Sequence, residues 1–306
     1  MSDDSPFDLD KPAAYAAWRE RKLARYPTDR ADLVVEVRDP RRLSRGEREA
    51  IAGLCRRANM AVYAGRTGSV ADRAIPAALA AEFGLRRLDR NPGADDDGIT
   101  ALRVVEEQWR NRYIPYSDRP IHWHTDGYYN EAGRQIHGLL LHCVQRAAEG
   151  GENALLDHEI AYIRLRDQDP AFIAALMAPD AMTIPANFVN GTRLRPARSG
   201  PVFSVAPDGH LHMRYTARRH SIEWRDDPVT RAAVRALEAL LASDDPCIHR
   251  LRLEPGWGLI SNNVLHDRSG FRDQGERTRL LYRARYYDRV DALVRDVSGS
   301  SVSVEM

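Results

Sequence analysis

A chain of 306 residues without a Pro/Gly/Ser-rich linker suits one large domain, and 43% hydrophobic with 29% charged residues is an ordinary globular composition. A net charge of +1 supplies no global field for nucleic acid or a membrane surface, and no apolar run reaches the roughly 18 residues of a membrane span. The acidic start Ser2-Asp3-Asp4 does not read as a secretory leader, and Cys55, Cys143 and Cys247 form no CxxC pair, so buried thiols in a reducing cytoplasm are expected. Only Lys11 and Lys22 of the 45 basic residues are lysine, the other 43 being arginine, so a single arginine is weak evidence of function.

Residues 11–25 read as a helix with Pro12 in its first turn, and 33–37 as a strand. Ser44 and Glu47 form a capping box ahead of a helix ending near Arg57; Met60 to Tyr63 then reads as a buried strand and 75–84 as a short helix. Residues 91–98 are a polar loop. From about residue 100 short strands dominate: 136–143, buried on both faces, and 154–157 after the Gly150-Gly151 turn. A helical insert is expected over 158–178. Strands follow at 182–188, 201–206 and 210–215, the last two joined by Pro207-Asp208-Gly209. A helix opens at Asp227-Pro228 and runs to about Ala242. The final strands are 247–253, 258–265 and 279–287, and 297–306 is a Ser/Gly-rich tail. The pattern is mainly β with helical inserts around a double-stranded β-helix (jelly-roll) core. Residues 1–99 form an N-terminal helix and strand segment packing on that core, which spans 100–288, all within a single domain.

The chemistry concentrates in Ile121-His122-Trp123-His124-Thr125-Asp126-Gly127. His124 and Asp126 are two apart, so in an extended segment their side chains share one face, and Gly127 lets the chain turn away. One more histidine from a distant strand completes a two-His, one-carboxylate triad with open positions opposite it, diagnostic of non-haem Fe(II) oxygenases. His266, at the end of strand 258–265, is that candidate. Alone, the pattern is weak, since a lone histidine is more often a hydrogen-bonded structural residue. Arg277, Arg279, Arg283 and Arg285 sharpen it: period two places all four on one strand face, and turned inward they require anions. A carboxylate co-substrate suits them, because the guanidinium fork binds carboxylate bidentately. His122 shares a face with His124, but the glutamate of a cupin-like motif is not where it should be: Glu131 is seven residues past His124. Trp123 points the other way, into packing. Tyr128 and Tyr129 follow the ligand turn, as pocket lining or as core aromatics.

The chain resembles the TauD/TfdA family of Fe(II)/2-oxoglutarate dioxygenases, including its gamma-butyrobetaine-hydroxylase-like branch. The resemblance rests on Trp123-His124-Thr125-Asp126, Gly150-Gly151-Glu152-Asn153, Asn263-Val264-Leu265-His266-Asp267-Arg268-Ser269-Gly270-Phe271 and Arg279-Leu280-Leu281-Tyr282-Arg283-Ala284, over roughly residues 44–288. It implies His124, Asp126 and His266 as iron ligands and Arg279, thirteen residues past His266, as the anchor of 2-oxoglutarate, with Arg277 as the off-by-two rival. Asn153 falls where the family often has a hydroxyl-bearing residue holding the same carboxylate. Arg283 matches a substrate-anion position of sulfonate-oxidising members, with Tyr128 beside it. The resemblance further implies O2 consumption, release of succinate and CO2, and hydroxylation (or desaturation) of a small anionic or amino-acid-like metabolite. Asp126 argues against halogenation, since related halogenases replace that carboxylate. Family members often assemble, so a homo-oligomer is admissible. Residues 91–98 and 189–200, the latter with Arg193, Arg195 and Arg198, are candidate lids.

Other chemistries have no motif: GxGxxG, GxxxxGKS, HExxH and GxSxG are absent. Acidic Asp273, Glu276, Asp288 and Asp291 interrupt the C-terminal arginines and argue against RNA. Two rivals stay open, a jelly roll that binds a small ligand or metal without turnover, and a zinc hydrolase using the same three ligands.

Overall fold

The computed structural model describes residues 5–90, 97–105, 114–189, 191–218, 222–275 and 278–290. Six α-helices are found among them: α1 (Pro12–Arg25), α2 (Arg45–Ala58), α3 (Ala74–Glu82), α4 (His158–Gln168), α5 (Pro170–Leu176) and α6 (Pro228–Leu241). Most other elements are short strands, and two sheets build the jelly-roll core. The larger runs Val34–Val37, Met60–Gly65, Trp257–Ser261, Gly138–Gln145, Leu280–Tyr286 and Thr100–Leu102 in spatial order. The smaller runs His249–Leu251, Asn153–Leu156, Leu265–Arg268 and Ile121–His124.

Three of the larger sheet's strands come from before residue 103. Val34–Val37 pairs parallel with Met60–Gly65, the crossover being α2, whose Ser44/Glu47 capping box is formed as expected. The remaining pairings in the sheet are antiparallel, with Gly138–Gln145 central and buried at every position but its last. A strand flanked on both faces needs apolar side chains on both, which is why Gly138-Leu139-Leu140-Leu141 shows no alternation.

Three expected elements divide. The strand expected over 258–265 is two strands in different sheets, Trp257–Ser261 in the larger and Leu265–Arg268 in the smaller. The break falls at Asn262-Asn263, where Asn263 adopts φ 53°, a left-handed conformation that asparagine tolerates better than most residues. The helical insert at 158–178 is likewise split into α4 and α5 at Asp169-Pro170. Proline lacks the amide that would continue α4, and the Asp169 carboxylate caps α5 through Ala171 N. Pro185 similarly separates Met182–Ile184 from the hairpin Asn187–Val189/Thr192–Arg195.

Under the N-terminal helix lies a closed ionic cluster. Lys22 of α1 reaches Asp157 Oδ2 at 2.6 Å and Glu159 Oε2 at 2.5 Å, while Asp157 Oδ1 accepts from Asn59 Nδ2 and Glu159 N, each at 2.9 Å. Burial opposes the charged forms of both partners. Their mutual attraction wins, leaving Asp157 below and Lys22 above the ordinary ranges. All three cysteines are free and buried. No helix among the described residues is long and apolar enough to cross a membrane.

Candidate metal centre and co-substrate pocket

Ile121–His124 and Leu265–Arg268 are neighbours in the smaller sheet, and their register sets His124 directly opposite His266. Cross-strand partners stand close on one face, and here the two imidazole centroids are 4.2 Å apart. Asp126 follows at the turn. Gly127 turns at φ 69°, and a Cβ there would sit 2.4 Å from Ile136 Cγ1, so the turn requires glycine. Ligand atoms of His124, Asp126 and His266 all lie within 4.8 Å of one another, the one such cluster among the described residues.

Each ligand side chain has one polar atom fixed and one left free. His124 Nδ1 bonds to the carbonyl of His122 at 2.9 Å, and His266 Nδ1 to that of Val264 at 3.0 Å. Both rings therefore donate from Nδ1, which leaves each Nε2 for the shared point, that of His266 lying 3.8 Å from Asp126 Oδ2. Asp126 Oδ1 accepts from Arg283 Nη1 at 3.0 Å and lies 3.6 Å from Arg285 Nη1, whereas buried Oδ2 has no hydrogen-bond partner. Burial lowers the His124 pKa to about 3, reinforced by the neighbouring His266, so the ring stays neutral as a ligand must. Burial also opposes the Asp126 carboxylate, but Arg283 and then Arg285 hold its pKa below the ordinary range. Two imidazole nitrogens and one carboxylate oxygen without a hydrogen-bond partner make a donor set that fits a divalent metal with open positions.

Asn263 locks this geometry, a role the sequence did not reveal. Its Oδ1 accepts from Asp126 N at 2.8 Å, and its Nδ2 donates to the carbonyls of Asp126 at 2.9 Å and Ile136 at 2.7 Å. The residue that breaks the strand before His266 thus holds the turn that carries Asp126. The Asn-Asn pair was visible as an irregularity; its partners were 127 and 137 residues away.

The arginine row faces inward. Arg279, Arg283 and Arg285 are all buried, while Arg277 lies outside the described residues. Arg283 and Arg285 meet carboxylates. Arg279 does not: its Nη1 is buried without a partner, and it shares a small cavity wall with Gly151, Asn153, Arg146, Arg252 and Leu281. Desolvation lowers its pKa to about 10, still cationic at neutral pH. A buried guanidinium with a free edge fits the far carboxylate of 2-oxoglutarate. Asn153 stands on that wall, its Nδ2 donating to Asp267 O at 2.7 Å. Phe271 lies against Arg279, 5.1 Å from Cζ to the ring centroid, and on its other neighbour Arg268, at 4.8 Å. Arg268 in turn donates to the carbonyls of Ser117 and Arg119, tying down the approach to the ligand strand.

A profile of the family described as "Taurine catabolism dioxygenase TauD, TfdA family" matches residues 21–285. The chain belongs to that family. Its members are iron- and 2-oxoglutarate-dependent dioxygenases, in keeping with the donor set and the free guanidinium. Among curated proteins the chain is similar to a uridine-5'-phosphate dioxygenase from Amycolatopsis sp, 35% identical over 54% of this chain and 60% of that protein. It is also similar to one of the same name from Streptomyces sp, 33% identical over 62% of this chain and 70% of that protein. The match thus spans less than two thirds of the Amycolatopsis protein. Solved structures sharing the fold include asparagine oxygenase with Fe(II), hydroxyasparagine and succinate (TM-score 0.54, 19% identity, 80% of each chain). The non-heme iron oxygenase OrfP is another (TM-score 0.56, 18% identity, 81% of this chain and 82% of that one).

His122, Trp123, His137, His142, His210 and His212 lie outside the ligand cluster. His122 is exposed and contributes its carbonyl, not its ring. Trp123 is buried, donating Nε1 to Leu241 O at 3.0 Å. His142 pairs with the Tyr63 hydroxyl at 3.0 Å. His137 packs against His212 at 4.7 Å, and His210 is exposed beside Asp208. His220 lies outside the described residues, as do 91–96 of the first candidate lid and the tail 297–306.

Proposed function

We propose that the chain is an Fe(II)/2-oxoglutarate-dependent dioxygenase hydroxylating a small phosphate-bearing metabolite of the uridine 5'-phosphate type. The observation that carries the oxygenase part is the pairing of two orphans, Asp126 Oδ2 between two free Nε2 atoms and Arg279 Nη1 in its cavity. A zinc hydrolase or a passive binder has no use for the second. Bound together, Fe(II) and 2-oxoglutarate supply the oxidising chemistry, with O2 as oxidant and succinate and CO2 as products. The protein's own part is positional. His124, Asp126 and His266 hold the metal, and Arg279, assisted by Asn153, holds the far carboxylate. The buried walls keep water from the reacting centre.

The nucleotide part is supported by the relatives' names and by the surface beside Tyr128 and Tyr129. Arg214 is buried there, bonding the carbonyls of Tyr128, Met182 and Arg198, so it braces the surface without offering a free edge. Arg195 is half-buried near both tyrosines, its Nη1 and Nη2 donating to the carbonyls of Pro196 and Pro185 so that a phosphate would have to compete for them, and Arg198 pairs with Glu131 while its Nε has no partner. The same hairpin presents Phe188 and Leu194, each 58% exposed. Cations next to exposed apolar side chains suit a ligand with a phosphate and a flat ring. Arg283 keeps its Nε unpartnered and Tyr128 is half-buried, leaving both able to meet substrate.

Succinate release with Fe(II) and 2-oxoglutarate tests this reading. Uridine 5'-phosphate is expected to stimulate release strongly and uridine weakly, and Arg195→Ala/Arg198→Ala is expected to raise KM for the nucleotide with little change in kcat. Equal stimulation by both compounds would overturn the phosphate assignment, and no release with any substrate would overturn the oxygenase.

A further inference from the structure

Asp89 precedes the metal turn by 37 residues, far from any motif. Its backbone N donates to Arg285 O at 2.8 Å, which sets it beside the last strand of the larger sheet. There it is 4% exposed, with Oδ2 on Arg285 Nη2 and Oδ1 accepting from the Tyr287 hydroxyl at 2.5 Å. Arg285, 2% exposed, uses its other terminal nitrogen on the Tyr129 hydroxyl at 2.9 Å and stands 3.6 Å from Asp126 Oδ1.

Buried charges next to the metal ligand thus come as a neutral quartet, Asp89 and Asp126 against Arg283 and Arg285. Without Asp89, two guanidiniums would face one carboxylate. Arg285, already 3.6 Å from Asp126 Oδ1, would then be drawn further onto that carboxylate, whose Oδ2 has no hydrogen-bond partner. That oxygen is the one a metal needs.

We infer that Asp89 is a positioning residue of the metal centre: by occupying Arg285 it keeps Asp126 Oδ2 free and the site able to accept a dication. The inference rests on the reading of His124, Asp126 and His266 as metal ligands, and it adds a fourth residue that touches neither metal nor substrate. Partners one step removed from a metal typically change affinity by about 10–100-fold when lost.

The test is Mn(II) binding to the full chain, read from the loss of the free-ion resonance signal, with no turnover involved. Asp89→Asn is expected to weaken Mn(II) at least about tenfold. Asp89→Asn/Arg285→Gln, which removes the displaced cation with its partner, is expected to recover most of that loss. Asp89→Glu is expected to stay within a few-fold of the native chain. A residue that only supports the fold would instead lower the melting temperature at unchanged affinity, or leave the double variant no better than the single; either overturns the inference. If Asp89→Asn does not fold, Tyr129→Phe frees the other end of Arg285 without burying a charge, and a several-fold weaker Mn(II) affinity is expected; unchanged affinity there overturns it. Native protein that binds Mn(II) no better than His124→Ala would instead overturn the metal assignment itself.

Discussion

Asp126 and Asp157 are two buried aspartates in one chain, and they are finished differently. Asp157 is fully buried and closed, with Lys22 on Oδ2 and Asn59 and a helix amide on Oδ1. Asp126 is 5% exposed and half closed, with Arg283 on Oδ1 and no hydrogen-bond partner on Oδ2. The arginines divide the same way. Arg166 is buried with bonds to Pro6 O, Asp8 O and the Tyr162 hydroxyl, whereas Arg279 is buried with Nη1 bare. An unsatisfied buried polar atom is costly, and these two sit where a ligand could satisfy them, one in the candidate metal cluster and one on a cavity wall. What separates the two aspartates is the lysine that ion-pairs with Oδ2 in Asp157, where Asp126 Oδ2 faces a histidine ring at 3.8 Å.

The largest effect expected on this account is from Asp126→Ala, which removes the free oxygen and strands two guanidiniums. Metal binding should fall below detection in calorimetry, and stability should drop by about 3–5 kcal/mol, the range for breaking a buried ion pair. Asp157→Asn should cost a similar stability, measured by urea unfolding, while leaving metal affinity unchanged. Arg279→Met sharpens the contrast from the other side. It should raise the KM for 2-oxoglutarate by roughly 30-fold or more, corresponding to at least about 2 kcal/mol, and yet leave the melting temperature unchanged or higher, because Nη1 has no hydrogen-bond partner to lose and methionine can still pack on Phe271. A fall in stability as large as that of Asp157→Asn would erase the distinction.

Acid should bring the native chain and Asp157→Asn together. The folded Asp157 pKa lies below the unfolded value of roughly 4, so its stabilisation is complete above that pH and is lost as pH falls through the folded pKa. Lys22 is shifted upward, so its share is complete below about 10.4 and is lost only as pH rises through its folded pKa. Unfolding curves at pH 7, 5 and 3 should show a constant gap between the two proteins that narrows only at the lowest pH. The smallest effect, about 1 kcal/mol with no change in either ligand's affinity, is expected for Ser44→Ala in the capping box.

Much of this was legible in the chain. The shared face of His124 and Asp126 and the single face of the arginine row follow from a period of two, His266 from its place at a strand end and the family resemblance, and the Ser44/Glu47 cap from local chemistry. What stayed hidden depends on contacts distant in sequence. Strand periodicity cannot tell that Asn263 sends Trp257–Ser261 and Leu265–Arg268 into different sheets, because the turn is stabilised by Asp126 and Ile136. Nor does any local pattern mark Asp89, whose partners lie 196 and 198 residues downstream. Arg283 shows the limit of face assignment: period two placed it on one face with its neighbouring arginines, but showed neither that the face turns inward nor that Arg283 meets the ligand carboxylate.

The most direct test of the central claim is anaerobic absorption spectroscopy of metal-free protein titrated with Fe(II) and then 2-oxoglutarate. A visible metal-to-ligand charge-transfer band is expected, absent in His124→Ala and weakened in Arg279→Met. Tight iron binding with no band on adding 2-oxoglutarate would contradict the account, since the two orphaned atoms would then not serve one chelated co-substrate.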